Sequence, residues 1–255
     1  MTALDFTPAP GAAPFPRMVA AQAGAEVRAM LRNGEQLLLT MIIPVLLLVG
    51  FSVAPLIDVG AGRRVDFLVP GVLALAVMST AFTGQAIATG FERRYGVLKR
   101  LGATPLSRAG LMLAKTAAVV AVEIIQAVVI VAVGLALGWR PHGSFLSAAV
   151  LLVLGTAAFS GLGLLMAGAL RAEATLAAAN LVYLVLLGAG GVVFPLSKFP
   201  EGVRPVLEVL PISALTGGLR AVLVEGAALP LGPLAVLAAW AVLSLGLVSR
   251  VFRWE

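Results

Sequence analysis

Cysteine is missing from this 255-residue chain, and histidine occurs once, at His142. Disulfides, thiolate chemistry and any zinc site needing Cys or several His ligands are thereby excluded. Charge is scarce: 12% of residues are Asp, Glu, Lys or Arg, against about 25% in soluble domains. No G-x-x-x-x-G-K-[ST] phosphate loop, no H-E-x-x-H helix and no G-x-S-x-G elbow occurs. Ser160 lies in an apolar run, but the single histidine falls in the turn Trp139-Arg140-Pro141-His142, so a serine–histidine pair inside a bilayer cannot be assembled. These gaps argue against an enzyme.

Apolar residues dominate instead. They make up 60% of the chain, with a mean hydropathy of +1.06. The apolar runs are continuous rather than alternating, which suits membrane helices and not a β-barrel. Six runs of about the length needed to span a bilayer stand out, at 37–57, 67–91, 111–137, 145–170, 175–194 and 231–248. Pro44 and Pro55 are expected to kink or end the first. The predicted fold is all-α and integral to the membrane. It comprises a disordered tail over 1–16, an interfacial amphipathic helix over 17–36 and a six-span domain over 37–255. The tail lacks a basic n-region and is not read as a cleaved signal.

In the 17–36 segment Ala20, Ala23, Val27, Met30 and Leu31 share a face from which Arg28 and Arg32 are excluded. With the N-terminus inside, twelve Lys and Arg fall on the inner side and six on the outer. That places both termini in the cytoplasm. The net charge of +6 then reflects topology, and no nucleic-acid partner is expected. Between spans 5 and 6, Val203, Val206, Leu207 and Leu210 repeat at helical spacing, as do Ala214, Leu215, Leu219, Val222 and Leu223 after Pro211. Two short outer helices, re-entrant or interfacial, are expected there. Gly155, Gly161, Gly163 and Gly168 in span 4, and Gly188, Gly190 and Gly191 in span 5, allow close helix approach within the bundle or at a subunit seam.

The longest polar interruption runs from Glu92 to Arg108 and holds five of the chain's 18 Lys and Arg. Tyr95, Leu98 and Leu101 recur at helical spacing. Gly102 offers a left-handed stop, and Thr104-Pro105 reads as an N-cap followed by proline at the first helical position. A short basic helix with an apolar stripe, held between two membrane helices, is suited to contact something at the inner membrane surface. Inside the bilayer, Glu123 and Gln126 are three residues apart and are expected on one face. An isolated carboxylate at that depth costs about 2.5–3.5 kcal/mol on insertion scales, so Glu123 should face protein or water. It could meet a cationic cargo, move protons or bond to another helix. Gln85, Asn180 and Tyr183 are further candidates for a path, or for interhelical hydrogen bonds.

In this order the features resemble the permease subunits of type 2 ABC exporters, and more narrowly the bacterial daunorubicin-resistance-like drug-efflux permeases. Glu92, Arg93, Gly96, Leu98, Leu101, Thr104 and Pro105 carry the local signature, and the closing 250–255 segment is similar to the basic-aromatic tails of that family. The resemblance implies a coupling helix between spans 2 and 3, with Glu92, Arg93, Arg94, Tyr95, Leu98, Leu101, Thr104 and Pro105 in contact with an ATPase. It implies two ATP-binding subunits, which carry ATP and Mg, and a second permease, identical or related. No cofactor is expected on this chain. It also implies export of a hydrophobic or amphipathic small molecule, such as an antibiotic, across the bacterial cytoplasmic membrane. Export of a lipid or lipid-linked glycan, and a non-transporting scaffold or sensor, are the alternative readings.

Overall fold

The computed structural model describes residues 11–34, 38–54 and 62–251. Most of the expected N-terminal tail, the ends of the first apolar run, Pro55 among them, and the closing 252–255 segment lie outside them. Among the described residues every regular element is helical. Five helices have the length and hydropathy to cross a bilayer. The first apolar run contributes a shorter apolar helix over Thr40–Val53.

Helix α1 spans Phe15–Arg32, with Pro16 near its start where a missing N–H costs nothing. It lies along the first part of α5, burying Glu26 and Met30 and leaving Arg28 and Arg32 exposed. Helix α2 spans Ile43–Val53 behind a π turn at Leu38–Ile42. Pro44 falls in the first turn of α2, directly after the π turn.

Helix α3, Arg64–Arg94, is the axis of the fold and the most buried of the long helices. It contacts α2, α5, α6, α7 and α9. Its 31 residues rise about 46 Å, well beyond the ~30 Å hydrocarbon thickness. The expected 67–91 run stopped short at both ends because the helix continues through polar termini. Pro70 lies inside it, and a π turn covers Met78–Gly84.

The short helix α4, Val97–Gly102, follows. Two expectations fail here. Gly96, not Gly102, takes the left-handed conformation, with φ 68°. Thr104 and Pro105 do not open the next helix either. The Thr104 hydroxyl donates to the Leu101 carbonyl at 2.6 Å, closing the end of α4. Ser107 is the N-cap of α5 (Arg108–Ala136) and accepts from the Gly110 amide at 3.1 Å.

Helix α6 spans Phe145–Ala169 and α7 spans Ala172–Ala189. The latter ends earlier than the apolar run, because Gly190 and the left-handed Gly191 turn the chain back under α9. Helix α8 (Arg204–Glu208) exposes Val206, while α9 (Pro211–Leu223) is buried on nearly every side against α3, α6 and α10 (Leu231–Val251). The two short helices therefore differ: α9 belongs to the bundle, and α8 lies at its edge.

Small residues let α6 sit close to its neighbours. A Cβ on Gly155 would meet Leu215, one on Gly161 would overlap Ser244, and one on Gly163 would press on the Phe82 and Ala81 carbonyls in the π turn of α3. These three pack the chain's own bundle, whereas Gly188 faces open space.

Candidate functional site

Three consecutive residues at the end of α3 grip three different neighbours. Successive helical residues point about 100° apart, so Glu92, Arg93 and Arg94 fan out around the axis. The Glu92 carboxylate lies 2.6–2.8 Å from Nζ of Lys115 on α5. Arg93 donates to the carbonyls of Gly168 and Leu170 at 2.8 and 2.6 Å. These carbonyls close α6, where a cation is favoured by the helix dipole. Arg94 pairs with Glu173 in the first turn of α7. Close approach of α3 and α7 is helped by Gly90, which faces Thr175 and Ala172.

Beyond this hub the chain reverses at Gly96 and α4 projects. Leu98 turns inward and is 2% exposed, so it holds α4 to the chain. The exposed side of this segment is formed by Tyr95, Lys99, Arg100, Thr104 and Pro105, with Leu101 half-buried. Tyr95 stacks on Phe91 with ring centroids 6.0 Å apart and sits 5.7 Å from the Arg94 guanidinium. Arg100 donates to the Tyr95 carbonyl at 3.1 Å, fixing α4 against the end of α3. The stripe read from sequence thus divides: Leu98 faces the bundle and Tyr95 faces away.

Above the hub, a cavity of about 380 Å³ opens between the start of the α2 segment, α3 and α7, with Thr40, Ser79, Thr83, Phe91, Asn180 and Tyr183 on its walls. Apolar walls with a few polar groups suit a small organic ligand better than an ion. A sequence profile of the ABC-2 type transporter family matches residues 20–224, from α1 through α9. The chain belongs to the ABC-2 type transporter family. It is therefore a multi-pass permease subunit of an ABC-type exporter, a transport component that works with an ATP-binding subunit and is not itself catalytic. No curated protein sequence matches the chain.

The polar residues expected along one path in the permease are distributed over four places. Asn180 and Tyr183 line the cavity, and the Tyr183 hydroxyl has no hydrogen-bond partner among the described residues. Gln85 is buried in α3, with both amide atoms unpartnered among the described residues. Gln126 and Glu123 do not share a direction, although they are three residues apart. Gln126 faces the π turns: it accepts from Thr80 at 2.9 Å and donates to the Thr40 carbonyl. Glu123 faces α6, where it accepts from Thr156 in a separate, almost wholly apolar crevice of about 240 Å³ between α3, α5 and α6. An interhelical hydrogen bond is thus the observed use of both.

Three charged groups of the permease's polar framework escape a reading by hydropathy: Lys115, Glu26 and Glu173. Lys115 is the single charged residue between Arg108 and Glu123, and Glu26 the single acid in α1. A charge isolated in an apolar helix, as Lys115 is, demands a partner, and that is the signal that could have found it; Glu26 and Glu173 lie among other charges and give no such signal. Among the described residues, no group of three or more His, Cys, Asp or Glu could hold a metal ion.

Proposed function

We propose that α4 is the coupling helix on which the ATP-binding subunit presses, and that the cavity between the α2 segment, α3 and α7 is this permease's share of the export path. The observation that carries this reading is the fan of Glu92, Arg93 and Arg94, which ties the base of α4 to α5, α6 and α7 within three residues. A push on α4 reaches those helices together, and two of the cavity walls, α3 and α7, are among the elements moved. The first apolar run, which contains α2, is the span that brings the number to six, and both termini are cytoplasmic, in keeping with the excess of Lys and Arg on that side.

The cargo is a hydrophobic or amphipathic small molecule of the drug type, as in the daunorubicin-resistance-like permeases that the sequence resembles. Cavity size and its mixed lining support this class. Two ATP-binding subunits carry ATP and Mg. A second permease, identical or related, faces the cavity across a flank where Leu46, Leu181 and Leu184 are exposed, and lipid covers the remainder.

The test is reconstitution of the permease with its ATP-binding subunit in proteoliposomes. ATP-dependent movement of a fluorescent hydrophobic amine, weakened by Tyr183→Ala and Asn180→Ala at unchanged complex yield, is the expected result. Movement of a labelled lipid without the amine would replace the drug class by the lipid class. Full ATPase stimulation with no cargo moved, over a panel including lipids and lipid-linked glycans, would leave a scaffold.

A further inference from the structure

Lys115 is the centre of a buried charge cluster that reaches past α3. Its Nζ lies 2.6–2.8 Å from the Glu92 carboxylate and 3.1 Å from Oε1 of Glu26 on α1. The Lys115 and Glu26 side chains are 9% and 10% exposed. Gln22, one turn earlier on α1, donates to the same Glu26 oxygen at 2.9 Å. The donors of one ammonium are thus spent on two carboxylates from two other helices. Neither acid has a second cationic partner among the ion pairs of the described residues. An ion pair this sheltered from water is little screened, and loss of one partner leaves an uncompensated buried charge.

We infer that Lys115 is a positioning residue that yokes α1 to the end of α3, so that α1, the base of α4 and the start of α5 travel as one rigid unit. The inference rests on the coupling reading of α4 and extends it: the element driven by the ATP-binding subunit is larger than the coupling helix. Apolar packing along α5 sets where α1 lies, and the Glu26–Lys115–Glu92 bridge fixes its angle to α3. Near α1's start, Phe15 closes on Gly110, where an added Cβ would come within 2.9 Å of the ring. The two contacts hold α1 at separated points along α5.

The chain has no cysteine, so spin labels can be placed without removing native thiols. Ala25→Cys on α1 and Ala103→Cys after α4 are both exposed sites. In the full complex, their distance distribution is expected to be narrow with and without nucleotide. Glu26→Ala frees α1 while leaving the Lys115–Glu92 pair charge-balanced, and it should broaden the distribution and lower transport per ATP hydrolysed severalfold. Lys115→Met should do the same, and Lys115→Arg should restore both readouts.

A distribution in Glu26→Ala as narrow as the parent's, or parental transport per ATP in that variant, overturns the yoke. A parent complex that neither transports nor stimulates its ATPase would instead overturn the coupling reading. The label distances would still judge Lys115.

Discussion

Gln126 of α5 accepts a hydrogen bond from the Thr80 hydroxyl at 2.9 Å while donating to the Thr40 carbonyl, so one buried amide joins the two π turns found among the described residues. A π turn misaligns backbone groups that an α-helix would pair internally, and such turns recur at functional sites. Here they occupy the helix stretches that supply Thr40, Ser79 and Thr83 to the cavity.

Gln126→Leu keeps approximate volume but removes the side-chain acceptor of the buried Thr80 hydroxyl. A buried group left without that bond costs about 1–3 kcal/mol. The purified permease should therefore melt earlier in detergent, and Gln126→Glu should fall between the two because it keeps the acceptor for Thr80. A thermal-unfolding series followed by tryptophan fluorescence measures this.

Gly163→Ala and Gly188→Ala should have opposite signs. A Cβ at Gly163 would lie 2.7 Å from the Phe82 carbonyl oxygen and 3.1 Å from that of Ala81. Backbone must move to admit it, at a cost of about 1–3 kcal/mol. Gly188 has nothing within 4 Å, so alanine there gains up to about 1 kcal/mol of helix propensity. Comparing the melting temperatures of the two variants with the parent decides the matter.

Leu98→Asp places a carboxylate where the chain is closed to water. It should detach α4 and abolish stimulation of the ATP-binding subunit. Lys99→Glu, at an exposed position on the same helix, should leave the permease's stability within about 0.5 kcal/mol of the parent while weakening co-purification of that subunit. Loss of stability in Lys99→Glu, or normal stimulation in Leu98→Asp, would contradict the division of α4 into an inner and an outer face.

Arg94 and Glu173 are each at least half exposed. A double-mutant cycle on stability should give a coupling of only about 0.2–1 kcal/mol. The same cycle read on transport per ATP should give more, because the pair links the hub to a cavity-lining helix. Reversal of both charges should restore most of the transport lost in either single variant.

Much of this architecture was legible in the sequence because continuous apolar runs carry their own signal. The five long helices lie where the runs lie, and the region after Pro211 is helical as its spacing indicated. Helix ends were less legible. Arg64, Asp66 and the Glu92–Arg94 segment continue α3 as polar turns that hydropathy cannot assign. Composition does not separate Gly96, which takes the left-handed conformation after α3, from Gly102, the last residue of α4, whose end is closed by the Thr104–Leu101 hydrogen bond. The Glu123–Gln126 pair shows the limit of spacing rules. Three residues leave a residual rotation of about 60°, enough on α5 to send one side chain to α6 and the other to the π turns.

The π turn in α3 also sets the angular phase of everything after it. A π turn holds one residue more than the α-helical turn it replaces, so the stretch from Gln85 to Arg94 is rotated by about 100° relative to an uninterrupted helix. Glu92, Arg93 and Arg94 owe their three partners to that offset. Deleting one residue between Met78 and Gly84 would regularise α3 and keep that phase, whereas straightening the turn with every residue retained would swing the glutamate away from Lys115 and leave the helix with its gearing out of mesh.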